Sequence, residues 1–226
     1  MSPVVPRPRV KDHLVEVTGV VDLTPWYRRV TLDGRGLFES FAPDPGGYLW
    51  LNLPGTDGSV VQRAYSIRSV AGESFQFEFV LHSEPGPARD WALAAVPGTT
   101  VSVSEPAYSL ALPDVPHALF IADPSALAGL GSVLDAWPGA ATVLVEDDHQ
   151  DHDAIAPPAR DGVNLSWHPT VSADVLQAAA AALDPSNCFL WAAGERTLAK
   201  TVRDFARTKF PVPRQLQHIQ TYWIAR

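Results

Sequence analysis

Within Gln62-Arg63-Ala64-Tyr65-Ser66-Ile67-Arg68, two permanent cations bracket an aromatic ring and a small hydroxyl. The segment lies between apolar, alternating runs and reads as a strand. A flavin dinucleotide requires such parts: a guanidinium for the pyrophosphate, a ring against the isoalloxazine, and a hydrogen-bonding group at its polar edge. An Arg-x-Tyr-Ser pattern also arises by chance, and the plain alternative is an edge strand with solvated arginines. A second segment, His82-Ser83-Glu84-Pro85-Gly86-Pro87-Ala88-Arg89-Asp90-Trp91-Ala92, follows. A short helix over 88–94 with proline in its first turn fits this run. Its N-terminus would offer free N–H groups and a positive dipole end to a pyrophosphate, although the same pattern serves a plain strand-to-helix turn.

These residues must be held by the elements around them. Strands are expected at 13–21, 27–32, 48–53, 74–82 and 99–104, separated by glycine and proline turns. Phe75, Phe77, Phe79 and Leu81 alternate on one face, as do Leu49, Leu51 and Leu53, with Tyr48 and Trp50 on the opposite face. Many short strands and one short helix predict a small antiparallel β-barrel. The character changes at Pro113-Asp114-Val115-Pro116. Strands at 118–122, 141–146, 163–168, 187–193 and 218–223 then alternate with helices at 125–137, 173–183 and 196–210, with Ser172 as a cap. That succession predicts a doubly wound α/β domain. The expected division is a barrel over 1–112 and a nucleotide-binding-like domain over 113–226, with 1–9 as a loose arm.

The ordered motifs resemble the siderophore-interacting proteins, FAD-binding members of the ferredoxin-reductase-like group. Arg63-Ala64-Tyr65-Ser66 and His82…Gly86-Pro87-Ala88…Trp91-Ala92 carry the resemblance. Leu23-Thr24-Pro25…Arg29-Val30-Thr31-Leu32, Pro97-Gly98, Trp191-Ala192-Ala193-Gly194-Glu195 and Tyr222-Trp223 extend it along nearly the whole chain. It implies that Arg63, Ala64, Tyr65 and Ser66 hold FAD, with Tyr65 near the isoalloxazine and Ser66 near its polar edge. Gly86, Pro87 and Ala88 would wrap the pyrophosphate, and His82 and Trp91 would frame the site. Arg68 matches a family arginine; as a residue it reads equally as a surface cation. Arg89 and Asp90 invert the small residue and arginine usual there.

Other departures concern the electron donor and the substrate. Ala122-Asp123-Pro124-Ser125-Ala126-Leu127-Ala128 stands where the family has Gly-Asp-Glu-Thr-Ala-Leu-Pro, which weakens the inference of NAD(P)H use. Trp50 stands where ferric-siderophore reductases of the family carry a lysine, and Ile224 where an arginine follows Tyr222-Trp223. Both changes remove positive potential that would attract an anionic chelate and suit an apolar ligand instead, with Arg226 placed to compensate in part. Trp50, Tyr222, Trp223 and Ile224 are thus the expected substrate residues. The expected function is a flavoprotein passing electrons from NAD(P)H through FAD to an acceptor such as a ferric siderophore. The alternatives are a repurposed cyclase or tailoring enzyme of natural-product biosynthesis, binding an apolar molecule beside a non-redox flavin, and a non-catalytic binding module.

Composition excludes other classes. Of the 226 residues, 17 are Lys or Arg and 25 Asp or Glu, giving a net charge of −8 with no basic run; neither nucleic acid nor an anionic membrane is an expected partner. Cys188 is the only cysteine, so no intrachain disulfide or cysteine-rich metal site is available, and its apolar setting reads as a core strand. Met1-Ser2-Pro3-Val4-Val5-Pro6-Arg7-Pro8 lacks the apolar core of a signal peptide, and no run is long enough for a membrane span. A soluble cytoplasmic protein is expected, its alanine and 21 prolines suggesting a high-GC bacterium. Asp147-Asp148-His149-Gln150-Asp151-His152-Asp153 has metal-ligating types but reads as a solvated turn, so no metal is expected. Gly129-Leu130-Gly131 falls inside a helix rather than after a strand, and no dinucleotide fingerprint, nucleophile elbow or zincin helix occurs.

Overall fold

The computed structural model describes residues 12–39, 43–55, 57–104, 110–157 and 159–225. Seven antiparallel strands come first: β1 (Asp12–Thr24), β2 (Tyr27–Asp33), β3 (Tyr48–Pro54), β4 (Val60–Ser66), β5 (Ser69–Ala71), β6 (Ser74–Val80) and β7 (Thr100–Ser104). Their order is β4-β3-β7-β1-β2-β6-β5. Only Ile67 and Arg68 separate β4 from β5, so the sheet turns back on itself and Tyr65 packs 4.4 Å from Phe79, ring to ring. The alternation in the sequence sets the inside of this curl. Phe75, Phe77, Phe79, Leu49, Leu51 and Leu53 are fully buried, while Tyr48 and Trp50 lie half-buried on the opposite face. Helix α1 (Pro87–Ala94) closes the barrel by burying Ala88 and Ala92.

Five parallel strands follow: β8 (His117–Ala122), β9 (Ala140–Glu146), β10 (Val163–His168), β11 (Cys188–Glu195) and β12 (Gln217–Trp223), ordered β10-β9-β8-β11-β12. Helix α2 (Leu127–Ala136) covers one face over Phe120 and Trp191. Helices α3 (Ala173–Ala180) and α4 (Arg196–Thr208) cover the other over Leu119, Ile121 and Leu190. β8 from Ala118 and β11 as far as Gly194 carry no polar side chain because both of their faces are covered. The barrel docks on the α2 face, where Leu23, Trp26, Tyr27 and Val80 join the core. The buried Tyr27 hydroxyl donates to Glu78 (2.8 Å), which also takes Arg29 at 2.9 and 2.5 Å.

Boundaries shift where local chemistry intervenes. The helix expected from 125 begins instead as a 3-10 turn, Pro124–Ala126, because the Asp123 side chain accepts the Ser125 N–H, and α2 starts at Leu127. β5 was not expected; its three residues are exposed and show no alternation. The expected arm over 1–9 lies outside the described residues. Among the described residues no helix is long and apolar enough to cross a membrane.

Candidate functional site

The segment with the richest chemistry lies where the barrel meets the carboxyl ends of the parallel strands. Ser66 ends β4, is buried, and places its Oγ 3.2 Å from the Tyr222 hydroxyl on β12. Gly129 of α2 makes this approach possible: a Cβ there would stand 3.0 Å from Ser66 Oγ and 3.1 Å from the Tyr222 hydroxyl. The glycines inside α2 therefore serve interdomain contact. Tyr65, half-buried, continues the aromatic row Tyr65–Phe79–Trp91, with centroid spacings of 4.4 and 5.6 Å, so the two sequence motifs meet through Phe79. Burial pushes the Tyr65 phenol up to about 12, against a smaller opposing effect of Arg63. Arg63 and Ala64 are exposed, and the Arg63 guanidinium folds back onto the Gln62 carbonyl at 2.9 Å.

Register places Trp50 opposite Ala64 and Tyr48 opposite Ser66, so these four residues share one face of the sheet. Beyond β6, His82 is exposed and its carbonyl accepts Arg89 Nε at 2.6 Å, while Arg89 also holds Asp90 at 2.9 Å. The inverted Arg89–Asp90 pair is thus a brace for the loop. Gly86 is the N-cap of α1 with no side-chain cap, Pro87 has no N–H to give, and open space surrounds the Gly86 Cα. The N–H groups of Ala88 and Arg89 stand outside the helical ladder, as an anion-binding terminus requires.

Strand order reverses between β8 and β11, and the crevice beyond their carboxyl ends is the usual ligand position in such sheets. Asp123 fills that point. Its buried carboxylate accepts Ser125 N–H (2.9 Å), Ser125 hydroxyl (2.5 Å), Glu195 N–H (2.7 Å) and Trp223 Nε1–H (2.9 Å). Burial raises its pKa, and these four donors oppose the rise. Gly194 has φ +151°, and a Cβ there would lie 2.7 Å from the Asp123 carboxyl carbon. Glu195 caps α4 through Thr197 N–H and takes Ala225 N–H at 3.1 Å. Trp223 is tied down at its indole nitrogen yet remains 47% exposed, and Ile224 beyond it is 53% exposed.

One sequence reading is corrected. Arg68 is not a free surface cation: it bonds Asp135 on α2 at 2.6 Å and lies against Gly131, where a Cβ would stand 2.6 Å from its Nε. It ties the domains beside a cavity of about 280 Å³ that Arg29, Glu78, Leu127 and Ile155 also line, a volume below the usual range for a drug-sized ligand. The 147–153 run is exposed along most of its length, as a solvated turn would be, but the Asp147 side chain within it is only 3% exposed. Cys188 is fully buried and its thiol is pushed up to about 11 by burial, a core residue as expected. Arg226, expected to compensate for Ile224, lies outside the described residues. Asp123 as a four-donor hub, Glu195 and the Arg68–Asp135 tie were not read from the sequence, since each depends on residues distant in the chain.

Two family models match consecutive parts of the chain: the siderophore-interacting FAD-binding domain over residues 39–110 and the siderophore-interacting protein over 115–226. The chain is 31% identical over 94% of its length to the mycobactin import ATP-binding/permease protein IrtA of Mycolicibacterium thermoresistibile, and spans only 25% of that protein. It is 28% identical over 94% of its length to ferric acinetobactin reductase of Acinetobacter baumannii, covering 81% of it. A siderophore utilization protein from T. fusca shares the fold with a TM-score of 0.79 at 23% identity, covering 98% of this chain and 95% of that one. The ferredoxin reductase of carbazole 1,9a-dioxygenase does so at 0.72 and 15%, covering 97% and 71%. With its antiparallel FAD-binding domain and parallel five-stranded domain in the ferredoxin-reductase arrangement, the chain belongs to the siderophore-interacting protein family.

Proposed function

We propose that the protein is a flavin-dependent reductase that takes electrons from NAD(P)H and delivers them to a ferric siderophore. The Ser66–Tyr222 contact is the observation that carries this reading. It sets the flavin-motif strand against the last parallel strand, beside the crevice where a nicotinamide dinucleotide would enter. The residues fit FAD: the open, uncapped α1 terminus at Gly86, Pro87 and Ala88 suits a pyrophosphate, and exposed Arg63 adds a cation. Tyr65 would offer the surface for the ring, Ser66 its polar edge, Ala64 the strand backbone between them, and His82 and Trp91 the frame. The flavin, when bound, supplies the chemistry that accepts a hydride and releases single electrons. The chain's own residues position it: Phe79 and Trp91 fix the Tyr65 plane, and Tyr222 fixes the Ser66 hydroxyl.

The flavin-holding part is assigned to 1–112 and the NAD(P)H-binding part to 113–226, in a cytoplasmic protein. Trp50, Tyr222, Trp223 and Ile224 form the substrate rim in this reading. Trp50 on the Ser66 face and the exposure of Trp223 and Ile224 also favour a second one, in which the rim receives an apolar metabolite and the flavin does not turn over.

An absorbance spectrum of the purified protein, followed anaerobically as NADH and then NADPH are added, tests both. Flavin that bleaches and reoxidises on adding a ferric siderophore supports the reductase. Bound flavin that does not bleach favours the apolar-ligand reading, and failure to bind FAD defeats both.

A further inference from the structure

At the switch point between β8 and β11, a doubly wound sheet offers a dinucleotide the backbone N–H groups of its first strand-to-helix turn, and glycine there lets the pyrophosphate come close. In this chain that turn is Ala122-Asp123-Pro124-Ser125-Ala126-Leu127, and it contains no glycine. From Pro124 onward it has no N–H left to give. Pro124 carries none. Ser125 N–H goes to Asp123 Oδ1 at 2.9 Å, Ala126 N–H to the Asp123 carbonyl at 3.0 Å, and Leu127 N–H to the Pro124 carbonyl. Leu127 and Ala128, which open α2, are 2% and 3% exposed, so the helix start is closed to a ligand.

The facing turn, from β11 into α4, is filled in the same way. Asp123 Oδ2 accepts Glu195 N–H at 2.7 Å and Trp223 Nε1–H at 2.9 Å. Each oxygen of Asp123 therefore takes two donors, and the carboxylate is satisfied as an anion. A Cβ on Gly194 would stand 2.7 Å from that carboxyl group, which thus lies directly against the backbone of the second turn. Glu195 in turn accepts the N–H groups of Thr197 and Ala225. The chain's own carboxylates hold the donors that a pyrophosphate would need, and a phosphate brought here would meet buried negative charge. Exposed Arg196 follows Glu195, and with Asp123 the three residues leave no excess of positive charge.

We propose that the crevice holds a reduced nicotinamide donor by its nicotinamide riboside end alone and gives the pyrophosphate and adenylate no place. Reduced nicotinamide mononucleotide then serves as hydride donor about as well as NADH, and NADH and NADPH serve alike. This rests on the reductase reading above and deepens it. The nicotinamide end keeps its surroundings. The Ser66–Tyr222 pair and the exposed part of Trp223, whose indole Asp123 fixes, stand at the same end of the strands. The donor gives a hydride from its dihydropyridine ring to the bound flavin and leaves as the pyridinium, a step in which the pyrophosphate takes no part. Charge-assisted contacts to phosphate are the strong ones in a dinucleotide site, so their loss is read as lost preference for the longer donor.

The test uses the FAD-loaded full chain. Titration calorimetry with ADP-ribose, which carries the pyrophosphate and adenosine without nicotinamide, probes the crevice without turnover, and no binding tighter than about 1 mM is expected. Anaerobic stopped-flow bleaching of the flavin then compares reduced nicotinamide mononucleotide, NADH and NADPH, whose half-saturating concentrations should agree within about threefold. Tighter ADP-ribose binding, or a larger preference for either dinucleotide, overturns the proposal. Asp123→Ala, checked for folding by its melting curve, removes the internal carboxylate, and the preference for NADH over the mononucleotide should rise at least about fivefold. If that variant does not fold, Asp123→Asn, which withdraws the charge and keeps the shape, is read in its place. An unchanged preference overturns the proposal equally, because something other than this carboxylate then excludes the phosphates. Flavin that no donor bleaches defeats the reductase reading itself, and the ADP-ribose titration still decides whether the crevice takes a pyrophosphate.

Discussion

Tyr65 offers a ring whose inner surface is fixed by Phe79 and whose outer part faces solvent. If FAD packs there, Tyr65→Ala should weaken FAD binding about tenfold or more, and Tyr65→Phe far less, because stacking resides in the ring. Fluorescence titration of the apoprotein with FAD reads both. With the phenol raised to about 12, Tyr65 stays protonated at ordinary pH and adds no pH dependence of its own. His218 on β12 does add one. Burial beside Trp191 lowers its pKa below 6.5. The folded chain therefore resists a proton that the unfolded imidazole accepts, and stability present above 6.5 is lost as pH falls through the folded value. His218→Gln should flatten the decline in urea stability between about pH 7 and about pH 5.

At the level of elements, glycines separate structural from binding roles. Gly86 has an extended backbone and nothing near a Cβ, so Gly86→Val should alter stability by no more than about 1 kcal/mol. The same side chain would stand in the proposed pyrophosphate position, and FAD affinity should fall at least about tenfold. Gly194→Ala should do the reverse. Its φ of +151° and the pinned Asp123 carboxylate leave no room, and a loss of about 2–4 kcal/mol in urea unfolding is expected. The elements themselves were legible because each carries its own pattern: alternation at Phe75, Phe77 and Phe79, and the unbroken apolar run Ala118-Leu119-Phe120-Ile121-Ala122. Helix α1 was legible from Pro87 and the N-terminal glycine before it. The contacts between elements were not. Arg68 finds Asp135 and Ser66 finds Tyr222 across 67 and 156 residues, and a local pattern carries no record of such a partner. Asp147 read as solvent-exposed for the same reason, since Trp26, which helps cover its loop, belongs to the other domain.

The whole molecule carries a net charge of −8, and an anionic ferric chelate would approach against that field. Trp50 and Ile224 do nothing to offset it at the rim. Screening should therefore speed the encounter. The second-order rate of chelate reduction is expected to rise with added salt for an anionic ferric siderophore and to stay flat for a neutral one, in stopped-flow traces at constant pH. A rate that falls with salt would instead reveal a local positive surface that attracts the chelate.

The bond between Ser66 and Tyr222 also has a bearing on synthesis. A ribosome delivers the barrel first, and its cores can close while the parallel strands are still being made. Ser66 nevertheless has no Tyr222 until β12 has docked alongside β11. A nascent chain stopped before residue 217 would carry the flavin-motif strand without the tyrosine that meets it. The contact on which the proposed site turns is thus the last to form in order of synthesis, since β12 is the final strand of the described chain.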